Sequence, residues 1–146
     1  LQVVKSGTDG EFKSKLVTLT PVAKGGVVAK IEGQTKAAKR WSSVQVSADE
    51  HIELNSDLIF MNHSCNPSVF IDVKQMEIIA TRDLNSGDEI TFFYPSTEWE
   101  MSQPFECWCG GEKCLKKVSG AKDLPADVLS HFQLSPHIEA LLASRQ

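Results

Sequence analysis

Three of the four cysteines in this 146-residue sequence, Cys107, Cys109 and Cys114, fall in one short CxC-x4-C stretch, and the fourth, Cys65, stands more than forty residues earlier. Disulfide geometry is demanding, and two cysteines separated by a single residue rarely satisfy it. No secretory signal is visible, although the sequence starts at Leu1 rather than Met, so metal binding is the expected use of these thiols. Zinc takes four soft or borderline ligands in a tetrahedron, and four thiolates make a common closed shell. Cys107, Cys109 and Cys114 offer three ligands from one loop, which Gly110 and Gly111 allow to turn tightly. Cys65 is the remaining cysteine for the fourth position, with His63 as an alternative donor. The plainer alternative is four reduced, unrelated thiols with Cys65 simply buried. A closed thiolate shell has no place for water, so a structural ion is expected, tying residue 65 to the tail.

The remaining composition narrows the class. Hydrophobic residues make up 41% of the chain, enough for a real core without disulfides. The length fits one domain with a small appendage. A formal net charge of -4 argues against nucleic-acid binding through bulk charge. No apolar run approaches the ~18 residues that a membrane-spanning helix needs.

Short strands separated by turn signals dominate residues 13 to 94. Lys15 to Thr20 alternates apolar and polar residues and stops at Pro21. Lys24, Gly25 and Gly26 form a turn before a second strand, Val27 to Ile31. Glu32 to Arg40 is polar and reads as loop. Ser43 to Ser47 and His51 to Leu54 read as short strands, and Ser56 or Asp57 can cap one helical turn through Met61. Val69 to Val73 and Met76 to Thr81 read as a hairpin around Lys74 and Gln75. Glu89 to Tyr94 is the last strand, broken by Pro95. Two amphipathic helices are expected at the end, one starting at Pro125 with Val128, Leu129 and Phe132, the other at Ser135-Pro136 with Ile138, Leu141 and Leu142 on one face.

Four features, in order, resemble the SET-domain methyltransferases. They are the Gly25-Gly26 turn before VVAKI, NHSCNP at residues 62–67, GDEITFFY at 87–94, and FECWCGGEKC at 105–114, which resembles the family's zinc-binding post-SET segment. The resemblance covers roughly residues 13 to 118. It implies a mainly β fold of small sheets with a pseudoknot, short helices, a post-SET zinc loop and a helical tail. The expected division is a SET domain over 13–103, a post-SET segment over 104–118 and a tail over 119–146.

The activity implied is transfer of a methyl group from S-adenosylmethionine to a lysine side chain of a protein, with a histone as one candidate. Tyr94, the chain's only tyrosine, matches the catalytic tyrosine. Asn62 and His63 match the cofactor-contacting pair. Lys24, Gly25 and Gly26 are expected to offer backbone groups to the cofactor, and Phe105 and Trp108 to lie against adenine, with plain packing an equal reading of the last two. Phe92 is expected on the substrate channel; lacking a hydroxyl to retain water near the amine, it implies di- or trimethylation of a lysine. Trp41 is a second channel candidate. Cys65, Cys107, Cys109 and Cys114 are the implied zinc ligands.

The sequence departs from the family pattern in places. Ser68 stands where the family often has Asn, and Phe93 where it often has Asp. Only 69 positions separate Gly25 from Tyr94, and the shortening falls between Ile31 and His51, a region that in the family forms one wall of the peptide groove. Two alternatives therefore accompany the protein-lysine reading: a methyltransferase for a non-protein nucleophile, and a silent SET-like interaction domain. A monomer is expected, with no membrane or direct nucleic-acid partner, resident in the nucleus or cytoplasm and not secreted.

Overall fold

A computed structural model describes residues 1–4, 15–39, 43–101, 105–106 and 117–145, with 105, 106 and 145 as backbone alone. Among these residues the chain is mainly β, as expected, and its strands are two to four residues long. β1 (Gln2–Val4) pairs antiparallel with β2 (Lys15–Val17). β3 (Val27–Lys30) is the edge of a three-stranded antiparallel sheet. β4 (Thr35–Ala37), β5 (Ser43–Gln45) and β6 (His51–Glu53) make a second sheet with β6 in the middle. Ser56 caps a 3-10 turn over Asp57–Phe60, its hydroxyl accepting from the Leu58 amide. After it come β7 (Asn62–His63), β8 (Val69–Asp72) and β9 (Glu77–Ala80), and β9 is the centre of the β3-β9-β8 sheet. β10 (Thr91–Phe92) runs parallel to β7, with Thr91 opposite Asn62 and Phe92 opposite His63. β11 (Phe105–Glu106) pairs with β12 (Lys117–Val118). A single helical turn, α1 (Ala126–Leu129), and a longer helix, α2 (Pro136–Arg145), end the chain.

Three expectations change. β4 lies within the stretch read as loop. Thr35 and Lys36 are polar and exposed and Ala37 is small and half-buried, so no apolar face announces it; its register comes from β6, with Thr35 opposite Glu53 and Ala37 opposite His51. The strand expected over Glu89 to Tyr94 keeps its ladder only at Thr91 and Phe92, and Tyr94 instead opens a 3-10 turn over Tyr94–Ser96. Pro95 has no N–H to give a ladder and its fixed φ suits the first turn of a helix. The helix expected from Pro125 is one turn long, with Pro125 as its N-cap.

The strands face two cores. The larger gathers Leu16, Ile52, Ile71, Ile78, Ile90 and Phe92. The smaller holds Phe93, Ala121, Leu129 and Ile138, with Trp99 and Phe132 packed against it. Successive strand side chains point to opposite faces, so adjacent Phe92 and Phe93 feed different cores. The tail is thereby fastened to the residue that precedes Tyr94.

Candidate active site

β7 and β10 bring the two central motifs side by side. The Ser64 amide donates to the Phe92 carbonyl at 3.1 Å, continuing the parallel pairing one residue beyond β7. Ser68, fully buried, ties the next turn to β10. Its hydroxyl donates to the Glu89 carbonyl at 2.8 Å and accepts from the Thr91 amide at 2.9 Å. The short serine side chain therefore satisfies two backbone groups that would otherwise be orphaned.

Tyr94 is held at both ends. Its amide donates to His63 Nδ1 at 3.0 Å, and its hydroxyl donates to the Met61 carbonyl at 2.8 Å. Its ring lies 4.6 Å from that of Phe92 and edge-on to His63 at 5.2 Å. Burial first, then the negative charges of Glu98 and Glu89, hold the phenol well above its ordinary ionisation range, while a backbone hydrogen bond from His63 acts weakly the other way. Tyr94 is thus a neutral phenol that donates to the Met61 carbonyl and accepts from the His63 backbone.

His63 accepts through Nδ1, so a neutral ring carries its proton on Nε2. Burial lowers its pKa to about 4, which keeps the ring uncharged at neutral pH. Nε2 lies 3.4 Å from Cys65 Sγ, within donating reach of the sulfur. Cys65 is itself buried. Asn62 is exposed, and its amide donates to Glu89 Oε2 at 3.3 Å.

Among the expected site residues, the structure therefore gathers Asn62, His63, Cys65, Phe92 and Tyr94. The Lys24–Gly26 turn sits beside β9, and its amides are engaged within the protein. Lys24 N–H donates to Asp83 Oδ1, Gly25 N–H to the Ala80 carbonyl and Gly26 N–H to the Ala23 carbonyl. The Gly26 carbonyl accepts from Ala80. Gly25 is required by its φ of 86°. Gly26 is required because a Cβ there would meet the Ala23 carbonyl oxygen at 2.9 Å. Trp41, Cys107, Trp108, Cys109 and Cys114 lie outside the described residues, and Phe105 is described only as backbone in β11. Among the described residues no group of three or more His, Cys, Asp or Glu side chains could hold a metal ion. The described residues also contain no helix long and apolar enough to cross a membrane.

Sequence reasoning missed one buried polar cluster behind the site. Glu98 Oε2 accepts from the Gln45 amide at 2.9 Å and from the Thr97 hydroxyl at 2.7 Å, while Gln45 Oε1 accepts from the Trp99 amide at 2.9 Å. Burial raises the Glu98 pKa to about 7, partly countered by these hydrogen bonds and by Lys39. Nothing in the local pattern around Glu98 marks it as buried; only its pairing with distant Gln45 does.

Comparison with known proteins agrees with this geometry. Residues 10–95 match the SET domain family. The chain is 44% identical over its whole length to "Methyltransferase flvH" of Aspergillus flavus, covering 83% of that protein. It is 35% identical over 109 residues, 68% of its own length, to a histone-lysine N-methyltransferase described as H3 lysine-36 specific from Candida albicans, but spans only 13% of that relative. Among solved structures, the methyltransferase domain of human histone-lysine N-methyltransferase SETMAR aligns with a TM-score of 0.55 at 20% identity, covering 79% of this chain and 56% of that one. KRYPTONITE in complex with mCHG DNA and SAH aligns with a TM-score of 0.56 at 18% identity, covering 75% of this chain and 27% of that one. At such identities the two structures bear on the fold alone.

Proposed function

We propose, from the premise that this chain belongs to the SET-domain methyltransferases, that it uses S-adenosylmethionine to methylate lysine side chains of a protein, with a histone as the leading candidate. The observation that carries the reading is Tyr94: neutral, half-buried, fixed through Met61 and His63, and in ring contact with Phe92 and with His63 of β7. The surroundings suit a sulfonium cofactor. Glu89, and Glu98 once ionised, act on the Tyr94 hydroxyl with negative charge, and the adjacent His63 ring is uncharged.

When bound, S-adenosylmethionine supplies an electrophilic methyl group for in-line transfer to a neutral amine. The chain's work is alignment, exclusion of water and support of polarised C–H bonds by oxygen acceptors. We assign the Tyr94 phenol oxygen to this support, and its burial favours the protonated phenol. The exposed Asn62 amide and the carbonyls of Lys24 and Gly25 are the polar groups we assign to the cofactor, with Phe105 and Trp108 as apolar neighbours for adenine. Phe92 lines the amine side and favours addition of more than one methyl, with Trp41 as a further wall.

We assign a structural zinc to Cys65, Cys107, Cys109 and Cys114. The one described ligand fits. Cys65 is buried, and the Nε2–H of His63 reaches its sulfur, a second-shell hydrogen bond suited to a thiolate. A SET domain over 13–103, a post-SET segment over 104–118 and a tail over 119–146 remain our division of the chain. A monomer is proposed, with nuclear residence following if chromatin is the target.

A second acceptor class has its own support. The relative matched end to end is named only as a methyltransferase, and the stretch between Ile31 and His51 is short. A non-protein nucleophile is therefore the alternative. Incubation with methyl-labelled S-adenosylmethionine and core histones, cell lysate or a metabolite extract separates the two. Label on protein lysines supports the first reading, and label confined to small molecules replaces it with the second.

A further inference from the structure

The C-terminal tail packs against the segment that contains the Tyr94 turn. Phe93 is almost fully buried between two rings. His63 lies 5.6 Å away and tilted by 42°, while Phe132 of the tail lies 3.6 Å away with its ring within 2° of parallel. Aromatic quadrupoles favour offset or edge-on pairs, so a close parallel pair gains chiefly from dispersion and buried area and needs outside support to hold its geometry. That support is on the same segment. The Ser135 amide donates to the Ser96 carbonyl at 2.9 Å, and His137 Nε2 to the Thr97 carbonyl at 2.7 Å. The Ala121 amide donates to the Glu98 carbonyl at 2.9 Å, and the Lys122 amide to the Trp99 carbonyl at 3.1 Å. Tail groups thus grip the chain on both sides of Tyr94, at Phe93 and from Ser96 to Trp99, while Tyr94 itself is held by Met61 and His63.

We propose that Phe132 is a positioning residue for methyl transfer, acting through its stack on Phe93 to set the direction in which the chain enters the Tyr94 turn. Phe93 is the peptide neighbour of Tyr94 and touches His63, which accepts the Tyr94 amide; displacement of the Phe93 ring therefore reaches Tyr94 by two routes. Reacting groups tolerate little misplacement. The inference rests on the reading of Tyr94 as the catalytic group.

Because Tyr94 is the only tyrosine, protein labelled with 3-fluorotyrosine gives one fluorine resonance that reports this ring alone. Four full-length proteins are compared by fluorine NMR: wild type, Phe132→Leu, which keeps apolar bulk but loses the flat face, Phe132→Trp, which keeps a face, and Leu142→Ala. Leu142 packs on the same small core and serves as a control for general loosening of the tail. Thermal melting places the variants on a common stability scale, and calorimetry with S-adenosylmethionine tests the cofactor site. The expected result is a shifted or broadened resonance in Phe132→Leu, a wild-type resonance in Phe132→Trp and in Leu142→Ala, and S-adenosylmethionine affinity within about threefold of wild type in all, a difference of under 1 kcal/mol. An unchanged resonance in Phe132→Leu overturns the proposal. So does an equal change in Leu142→Ala at similar loss of stability, since Phe132 is then ordinary packing. Failure of wild-type protein to bind S-adenosylmethionine removes the catalytic reading of Tyr94, and is seen separately from the resonance comparison.

Discussion

The Tyr94 amide donates to His63 Nδ1 at 3.0 Å, which joins the 3-10 turn after β10 to β7 and the Ser64–Cys65 segment that follows it. One imidazole thereby faces both the tyrosine backbone and the Cys65 sulfur. Replacing His63 by Phe preserves ring volume and removes both nitrogens. A partly buried Tyr94 N–H is then left without its acceptor, which costs about 1–3 kcal/mol. Urea unfolding of His63→Phe checks this, with a lowered midpoint and an unchanged slope expected.

Ser68 carries a similar burden without touching the proposed chemistry. Its hydroxyl serves the Glu89 carbonyl and the Thr91 amide inside a fully buried position. Ser68→Ala orphans both and is expected to lower stability by about 2–3 kcal/mol. Ser68→Thr retains the hydroxyl but adds a methyl to a closed site, so it restores only part of the loss. Denaturant titration of the two variants separates the hydrogen bonds from the volume.

Glu98 gives the fold a pH dependence of defined sign. Its carboxyl binds its proton more tightly in the fold, where its pKa rises from an ordinary 4.5 to about 7, than in the unfolded chain. Between those values the native state holds more protons, so unfolding free energy falls as pH rises. The contribution is fully present below about pH 4.5, fades up to about pH 7 and is absent above it; its size is roughly 3 kcal/mol. Glu98→Gln keeps an oxygen acceptor for Gln45 and Thr97 and cannot ionise. Its stability is expected to be flatter between about pH 5 and 7.5 and higher than wild type at pH 8, as followed by thermal melting across that range.

Zinc content tests the cysteine assignment. Purified protein is expected to hold about one zinc per chain, and Cys65→Ser to lose it. A strong chelator is expected to lower the melting temperature of wild type and to leave that of Cys65→Ser little changed, because metal binding and folding are coupled. Elemental analysis alongside melting gives the result; metal-free wild type of full stability removes the assignment.

Local signals carried much of the fold. The apolar runs Val69 to Val73 and Met76 to Thr81, read as a hairpin around Lys74 and Gln75, contain β8 and β9, and Ser56 caps its turn as its side chain allows. NHSC and GDEITFFY were recognisable because each is contiguous in sequence. What local pattern could not show were partnerships between distant residues. β4 is a strand because β6 offers it a ladder, not because it has an apolar face. Glu98 is buried because Gln45 and Thr97 meet it, and Phe93 because a phenylalanine 39 positions later lies against it. Backbone groups of the Lys24–Gly26 turn were expected to face the cofactor, and its three amides donate instead to Asp83, Ala80 and Ala23.

The central claim is that Tyr94 serves transfer of a methyl group from S-adenosylmethionine. Tyr94→Phe removes the hydroxyl with its bonds to the Met61 carbonyl and the His63 backbone, at a cost of about 1–2 kcal/mol in stability. Calorimetry with S-adenosylmethionine and methyl-transfer assays on the same preparations of wild type and Tyr94→Phe are the direct measurement. Both proteins are expected to bind the cofactor, and Tyr94→Phe to transfer methyl at least ~100-fold more slowly. Absence of cofactor binding by wild type, or transfer by Tyr94→Phe at the wild-type rate, would contradict that claim.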